Sequence, residues 1–252
     1  MIKIIMHGCN GKMGQVISSL VEEDKECSMV AGIDPYVNKS NPYPVFSKIE
    51  DCDAPADVII DFSTASAVKP LLEYASKKQI PLILCTTGLS DELLDLVKKT
   101  AVKIPVFFSA NMSLGVNLLI NLVKRASEVL YDVDFDIEII EKHHNQKIDA
   151  PSGTALALAD AINESLDSRY DYKYDRHIER KKRDKNEIGI HAVRGGTIVG
   201  EHSILFAGKD EVVELKHTAM SKEVFAVGAL KAAKFLAGKA PGLYNMENLI
   251  NE

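Results

Sequence analysis

The run Ile2-Lys3-Ile4-Ile5-Met6-His7-Gly8-Cys9-Asn10-Gly11-Lys12-Met13-Gly14 decides the fold. Its first residues are apolar and β-branched, which reads as a short buried strand. The strand runs into glycines spaced Gly8-x-x-Gly11-x-x-Gly14. Met13, Val16, Ile17, Leu20 and Val21 then recur at helical spacing and predict an amphipathic helix up to about Asp24. A second strand, Ser28 to Ile33, ends at Asp34, twenty residues beyond Gly14. Strand, glycine turn, helix, strand and acidic residue follow in the order of a dinucleotide-binding βαβ unit. One glycine permits the tight turn, one lets the backbone approach a pyrophosphate, and one lets helix and strand pack closely. The helix N-terminus then favours the negative charge.

The alternation continues outward from that unit. Asp57 to Asp61 reads as a strand leading into Phe62-Ser63-Thr64, followed by a helix through Val68, Leu71, Leu72 and Ala75. Pro81 to Cys85 is the next strand and ends in Thr86-Thr87-Gly88. Ser90 fits a helix N-cap, with Asp91 and Glu92 in the first turn. Val106 to Phe108 is a further strand, running into Ser109-Ala110-Asn111-Met112. Strands alternating with helices imply a mostly parallel sheet whose ligands sit beyond the carboxyl ends of its strands. Gly8, Asp34, Phe62, Thr86, Thr87 and Asn111 all fall at such ends and are cofactor or hinge candidates; each is also compatible with ordinary loop chemistry.

After a long amphipathic helix from Leu114 to Leu130 the rhythm changes. Asp134 to Ile140 alternates polar and apolar residues, as a half-exposed strand does. Next comes Glu138-Ile-Ile-Glu141-Lys-His143-His144-Asn-Gln-Lys147-Ile-Asp149-Ala-Pro151-Ser152-Gly153-Thr154-Ala155, which opens a helix to about Leu166. Imidazoles titrate near neutrality and deliver protons. A lysine fixes an anion as a point charge, and a helix start presents N–H groups to carboxylates or phosphates. The stretch therefore reads as a substrate site. Adjacent histidines project to opposite sides of an extended backbone, so His143 and His144 need not share that site. No third ligand at a recognisable spacing makes them a metal site. Glu138 and Glu141 read as supporting groups, and His202 and His217 as structural or substrate-lining residues.

Ser168 to Glu187 is densely charged and reads as a solvated, mobile loop of mixed charge rather than an anion patch. Ile188 to Val193, Thr197 to Phe206 and Val212 to Lys216 are strand-like, with Arg194-Gly195-Gly196 suited to a turn. Successive strands without long helices imply an open antiparallel or mixed sheet in a second, α+β domain. A helix from Ser221 to Ala237 is expected to return to the first domain, because a nucleotide-binding sheet needs both faces covered. The fold expected is thus α/β: a Rossmann-like dinucleotide-binding domain, 1–113 with 219–252, and a smaller α+β substrate and oligomerisation domain, 114–218 with an open mixed sheet.

The chain has 252 residues, 46% hydrophobic and 26% charged, ordinary values for a globular protein. A net charge of −6 argues against phosphate-tracking nucleic-acid binding. No apolar run reaches the ~18 residues of a membrane span, and the N-terminus is too quickly broken for a signal peptide. Cys9, Cys27, Cys52 and Cys85 lie far apart, which fits reduced thiols in a cytoplasmic protein.

Taken together, these motifs resemble the 4-hydroxy-tetrahydrodipicolinate reductase (dihydrodipicolinate reductase) family. The specific signature is Glu138-x-x-Glu141-x-His143-x-x-x-Lys147-x-Asp149-x-Pro151-Ser152-Gly153-Thr154-Ala155. Gly8-x-x-Gly11-Lys12-Met13-Gly14, Asp61-Phe-Ser63, Thr86-Thr-Gly88, Ala110-Asn-Met-Ser-x-Gly-Val-Asn117, Val193-Arg-Gly-Gly196, Val199-Gly-Glu-His202 and Phe206-Ala-Gly208 extend it to nearly the full length. The resemblance implies reduction of a cyclic imine dicarboxylate by hydride from NADH or NADPH, with loss of water from a hydroxylated substrate, on the diaminopimelate route to lysine. It implies His143 as general acid and Lys147 as a second catalytic and substrate-holding residue. His144, Gly153 and Thr154 are implied to bind substrate, and two substrate carboxylates call for cationic and N–H donors, which Lys147, Arg194 and the Ser152-Gly153-Thr154 helix start offer. For the cofactor it implies Gly8, Cys9, Asn10, Gly11, Lys12, Met13, Asp34, Phe62, Cys85, Thr86, Thr87, Gly88, Ser109, Ala110, Asn111 and Met112. A homotetramer built through the second domain's sheet is implied as well, and no metal. The readings left beside it are another two-domain nicotinamide-dependent amino-acid reductase or dehydrogenase, and a dinucleotide-sensing regulator.

The sequence departs from the family pattern at Lys12, where arginine is common, at Cys9, where alanine is common, and at Cys85, where glycine often stands. Pro35 follows Asp34 where an arginine often holds a 2′-phosphate. An acidic strand end accepts from ribose hydroxyls and repels that phosphate, although Lys12 or Lys39 offers a compensating charge. The expected outcome is kcat/KM for NADH at least equal to that for NADPH. A preference for NADPH above about tenfold, ~1.4 kcal/mol of transition-state discrimination, contradicts it.

Overall fold

The computed structural model describes residues 1–37, 39–177 and 179–252. In chain order the elements are β1 (Ile2–His7), α1 (Lys12–Glu23), β2 (Cys27–Ile33), β3 (Val45–Phe46), β4 (Val58–Asp61), α2 (Ala65–Lys78), β5 (Leu82–Leu84), α3 (Asp91–Ala101) and β6 (Pro105–Phe108). They continue as α4 (Leu114–Leu130), β7 (Asp136–His143), α5 (Gly153–Ser165), β8 (Asp171–Lys173), β9 (Glu187–Arg194), β10 (Gly200–Ala207) and β11 (Val212–Ala219). The chain ends with α6 (Glu223–Leu236), β12 (Gly242–Tyr244) and α7 (Met246–Ile250). Two compact units result, Met1–Leu114 with Glu223–Glu252, and Gly115–Lys222.

The first unit is built on a seven-stranded sheet in the order β12-β6-β5-β4-β1-β2-β3, and every neighbouring pair is parallel. Alternate residues of its central strands serve opposite faces. Ile4, Met6, Val58 and Ile60 join the cluster containing Ile17, Val21, Ala229, Ala233 and Leu236, from α1 and α6. Ile5, Ile59, Leu82 and Leu84 join the cluster under α2 and α3, with Leu71, Leu72 and Val97. Burial on both faces explains why these strands read as continuous apolar runs rather than alternating ones. Helix α6 covers one face of the sheet. Strands β3 and β12 went unread, since two or three residues are too few to show a period.

The second unit carries a five-stranded mixed sheet, β11-β10-β7-β9-β8. Strand β7 is antiparallel to β10 and parallel to β9. Ile137, Ile139, Ile188, Ile190, Ile204 and Phe206 pack with Leu119, Val123, Leu158 and Ile162 of α4 and α5. One expectation needs correction. The charged 168–187 segment is not simply a solvated loop, for it supplies β8, parallel to β9 at the sheet edge. Arg183 from this segment reaches Asp136 at 2.9 Å and Glu138 at 3.0 Å, and Arg176 pairs with Glu138 at 3.2 Å and also with Glu187. Acidic residues of β7 and β9 recruited these cations, a pairing that composition alone does not disclose. Ile178 lies outside the described residues.

The glycine turn shows why its residues are fixed. Gly8 has φ +84°, and a Cβ there would overlap the Phe62 carbonyl. At Gly14 a Cβ would overlap the Gly8 carbonyl and the Cys9 backbone. Because the obstacles are backbone atoms, they cannot rotate away. Gly14→Ala is expected to cost about 1–3 kcal/mol of overpacking, read as a thermal midpoint lowered by roughly 2–4 °C per kcal/mol. An unchanged midpoint contradicts this close approach.

Candidate active site

In the first unit Asp34 and Phe62 stand against the Gly8–Gly14 turn. Gly8 N–H donates to Ile33 O at 2.8 Å, and Gly11 N–H to Gly8 O at 3.1 Å. The α1 N-terminus thus begins directly behind the turn, where its amide dipoles favour an anion. Asp34 is buried at the end of β2; its carboxylate accepts from Asn10 N–H and Tyr36 N–H, both at 3.0 Å. Lys39 donates to Asn10 O at 2.8 Å, so its ammonium buttresses the turn, whereas Lys12 is exposed. A backbone crowded at Gly8 and Gly14, tight at Gly11 where a Cβ would stand 3.2 Å from the Gly8 carbonyl, and followed by an acidic strand end fits a dinucleotide.

Several cofactor candidates offer backbone rather than side chain. The Cys9 side chain packs into the core against Gly32. Burial, with Asp34 adding to it, pushes the Cys9 thiol up to about 11. Met13 packs against the same core and Met112 lies inside it. Cys85 is buried, and the Thr86 hydroxyl is committed to Asp61 at 2.6 Å. Phe62 and Asn111 are half-buried, while Thr87, Gly88 and Ala110 are exposed, with Gly88 at φ +71°. Ser109 Oγ donates to Asn111 O at 3.0 Å, and Asn111 Oδ1 accepts from Ser113 N–H at 2.9 Å.

In the second unit everything converges on Glu141, whose side chain is fully buried on β7. Arg194, level with His143 on β9, grips it with two bonds of 2.7 Å. His143 Nδ1 lies 2.6 Å from Oε2, and Ser152 N–H donates to Oε1 at 3.0 Å. Burial pushes the Glu141 carboxyl up, but the Arg194 and His143 hydrogen bonds outweigh it and hold the group below its ordinary value. An ionised Glu141 therefore takes the proton-bearing Nδ1 of His143 and leaves Nε2 for chemistry. Gly200 makes room for that ring, since a Cβ there would stand 3.1 Å from Nε2.

Ser152 caps α5, its Oγ accepting from Ala155 N–H at 3.2 Å and lying 3.1 Å from His202 Nε2. Its groups serve the fold, while Gly153, exposed, and Thr154, half-buried, form the helix start itself. Lys147 Nζ lies 2.9 Å from Asp149 Oδ1. The Asp149 carboxyl is held below its ordinary value first by Lys147, with the Gly153 N–H also contributing. Lys147 and the α5 N-terminus therefore already hold one carboxylate between them. His144 is half-buried just beyond β7, its carbonyl accepting from Lys147 N–H at 3.1 Å. Arg194 departs from the expectation of a free substrate cation, because both its terminal nitrogens are engaged by Glu141, and one also by Asp149 O at 2.6 Å.

Comparison with known proteins covers both halves. Residues 2–112 match the family described as dihydrodipicolinate reductase, N-terminus, and residues 115–250 match dihydrodipicolinate reductase, C-terminus. The 4-hydroxy-tetrahydrodipicolinate reductase of Caldanaerobacter subterraneus is 54% identical over 252 residues, which are 100% of this chain and 99% of that one. The chain belongs to the dihydrodipicolinate reductase family. It is accordingly an NAD(P)H-dependent oxidoreductase. The Clostridium novyi 4-hydroxy-tetrahydrodipicolinate reductase is 53% identical, over 99% of this chain and 98% of the relative. Among solved structures, dipicolinate-bound dihydrodipicolinate reductase from Paenisporosarcina sp. TG-14 superposes with a TM-score of 0.79 at 27% identity, over 97% of each chain.

Beside these family residues the fold places two groups that sequence reasoning left open or passed over. Gly200 stands in the motif Val199-Gly-Glu-His202, which by itself gives it no role. His202 sits edge-on to His143, ring centroids 5.2 Å apart, in register with Glu141 on β7 and His217 on β11. Burial, then the nearby His143, lowers its pKa from 6.5 to about 4. A depressed histidine favours the folded state while neutral. Its contribution is present above pH 6.5 and is lost as pH falls through about 4. His202→Asn is expected to flatten the acid limb of the stability curve in that window, measured by urea unfolding at stepped pH. An unchanged limb contradicts a neutral, buried His202.

Proposed function

We propose that this chain reduces 4-hydroxy-tetrahydrodipicolinate to tetrahydrodipicolinate, with loss of water, using NADH or NADPH. The observation that carries the reading is the Glu141–His143 pair beside the capped start of α5. When bound, the dinucleotide supplies the hydride.

The chain's own residues account for the rest. Hydride arriving at a conjugated imine leaves a developing anion that must take up a proton. His143, held through Nδ1, presents Nε2 as the donor, and general acids of this kind contribute ~10²–10⁴-fold. Glu141 and Arg194 are positioning residues: the carboxylate fixes the imidazole and the guanidinium fixes the carboxylate. Lys147, His144 and the Gly153-Thr154 helix start receive the substrate carboxylates, one of which takes the place now filled by Asp149. That exchange costs little, because Asp149 is 57% exposed on its side chain and an exposed ion pair is worth ~0–1 kcal/mol. The Gly8–Gly14 turn, Asp34, Phe62, the Thr86–Gly88 segment and the Ser109–Met112 segment hold the dinucleotide, largely by backbone.

A dicarboxylate substrate and the family's biosynthetic role support a cytoplasmic enzyme. We also propose a homotetramer, for which the open sheet of the second unit supplies the surface. Among the described residues no helix is long and apolar enough to cross a membrane. The direct test supplies the condensation product of pyruvate and aspartate semialdehyde and follows NADH absorbance. Oxidation is expected, falling by at least ~10²-fold in His143→Ala. Glu141→Gln is expected to lower kcat roughly ten- to a hundredfold, the worth of one charged hydrogen bond. Absence of oxidation by the unaltered protein contradicts the assignment, and full activity in His143→Ala contradicts the mechanism.

A further inference from the structure

Three neighbouring strands of the first unit end in side chains that the reaction as proposed does not use. His7 is the last residue of β1, Asp61 the last of β4, and Thr86 lies two beyond the end of β5. The strands are adjacent in the sheet. His7 Nδ1 is 2.6 Å from Asp61 Oδ1, and Thr86 Oγ1 donates to Asp61 Oδ2 at 2.6 Å. Exposure is 6% for His7, 0% for Asp61 and 5% for Thr86.

Packing alone does not call for this cluster. Two residues earlier on each strand stand Ile5, Ile59 and Leu84, all in one apolar cluster under α2 and α3. A carboxylate removed from water is costly unless its oxygens receive strong hydrogen bonds, and each oxygen of Asp61 receives one. Among the described residues its ion-pair partner is His7, with no lysine or arginine joining it. Burial first, then Asp61, pushes the Cys85 thiol well above its ordinary value, so the sulfur beside the cluster stays neutral. The backbone is tied at the same level, Phe62 N–H donating to His7 O and Cys85 N–H to Asp61 O, both at 3.0 Å.

Position gives the cluster its meaning. His7 immediately precedes Gly8, Asp61 immediately precedes Phe62, and Thr86 immediately precedes Thr87-Gly88. His7 and Asp61 are thus the last fixed residues before segments assigned to the dinucleotide, and Thr86 is the first residue of the third such segment. We propose that His7, Asp61 and Thr86 form a positioning triad: the buried carboxylate locks the directions in which these three segments leave their strands, and so sets the affinity for NAD(P)H. This rests on the reading of those segments as the cofactor site. In this arrangement Asp61 never touches the cofactor. It acts through His7 and Thr86.

Two pairs of variants test the triad. Thr86→Val keeps the shape and removes the hydroxyl, and Thr86→Ser restores it. His7→Leu removes the donor, whereas in His7→Asn the amide nitrogen takes roughly the place of Nδ1. NADH affinity is read by fluorescence titration without substrate, alongside KM, kcat and the melting midpoint. Thr86→Val and His7→Leu are expected to weaken NADH binding about tenfold, as loss of a charged hydrogen bond does. KM for NADH should rise in step and kcat change far less, while Thr86→Ser and His7→Asn recover most of the affinity. Unaltered NADH binding in Thr86→Val, with only the midpoint lowered, overturns the triad as a positioning device. Gly88→Val separates the two readings. If it weakens NADH binding while the triad variants do not, the triad alone falls. If it too leaves binding intact, the cofactor reading falls and the triad with it.

Discussion

The second unit depends on a carboxylate placed where water cannot reach it. Glu141 is fully buried and receives the two arms of Arg194, the His143 imidazole and the Ser152 amide. Such a group left unpaired would be expelled or neutralised. Its four donors therefore have to arrive together, from β7, β9 and the start of α5. One requirement of electrostatics thereby fixes the ring orientation of the proposed acid, the capped start of the helix and the turn after β9. The same arrangement engages both terminal nitrogens of Arg194 within the protein.

Asp61 repeats that logic in the first unit with weaker partners, an imidazole and a hydroxyl in place of a guanidinium. In each unit a buried acid ties the ends of adjacent strands to the backbone proposed to handle the small molecule. The parallel sheet supplies rigid strands, and the carboxylates fix how the loops depart from them. The site is thereby preorganised, and binding has less disorder to remove.

The larger elements were legible because each showed a period or a punctuation mark. The helix Leu114–Leu130 has the bounds its apolar spacing indicates, and Ser90 caps α3 through Leu93 N–H. The glycine turn was legible because only one residue type tolerates the Gly8 geometry. What escaped was relational. Nothing in the identity of Glu141 announces Arg194, 53 positions away, as its partner. Nothing in His7 announces Asp61 at a separation of 54. The 168–187 segment differs from its expectation for the same reason: Arg176 and Arg183 read as solvated from composition and are paired in the fold. Strands β3 and β12 were missed because so few residues carry no pattern. The proposed catalytic residues were legible through the family's signature, and their orientation only through the structure.

Proton delivery turns on which nitrogen of His143 carries the proton that Glu141 holds. Long-range proton–nitrogen NMR of the imidazoles, recorded through the neutral range on the unaltered protein, reads this directly. The arrangement predicts that the neutral His143 ring is protonated at Nδ1, with a downfield proton from the short bond to Glu141, and that Nε2 is bare. A neutral ring protonated at Nε2, with Nδ1 bare, would contradict it.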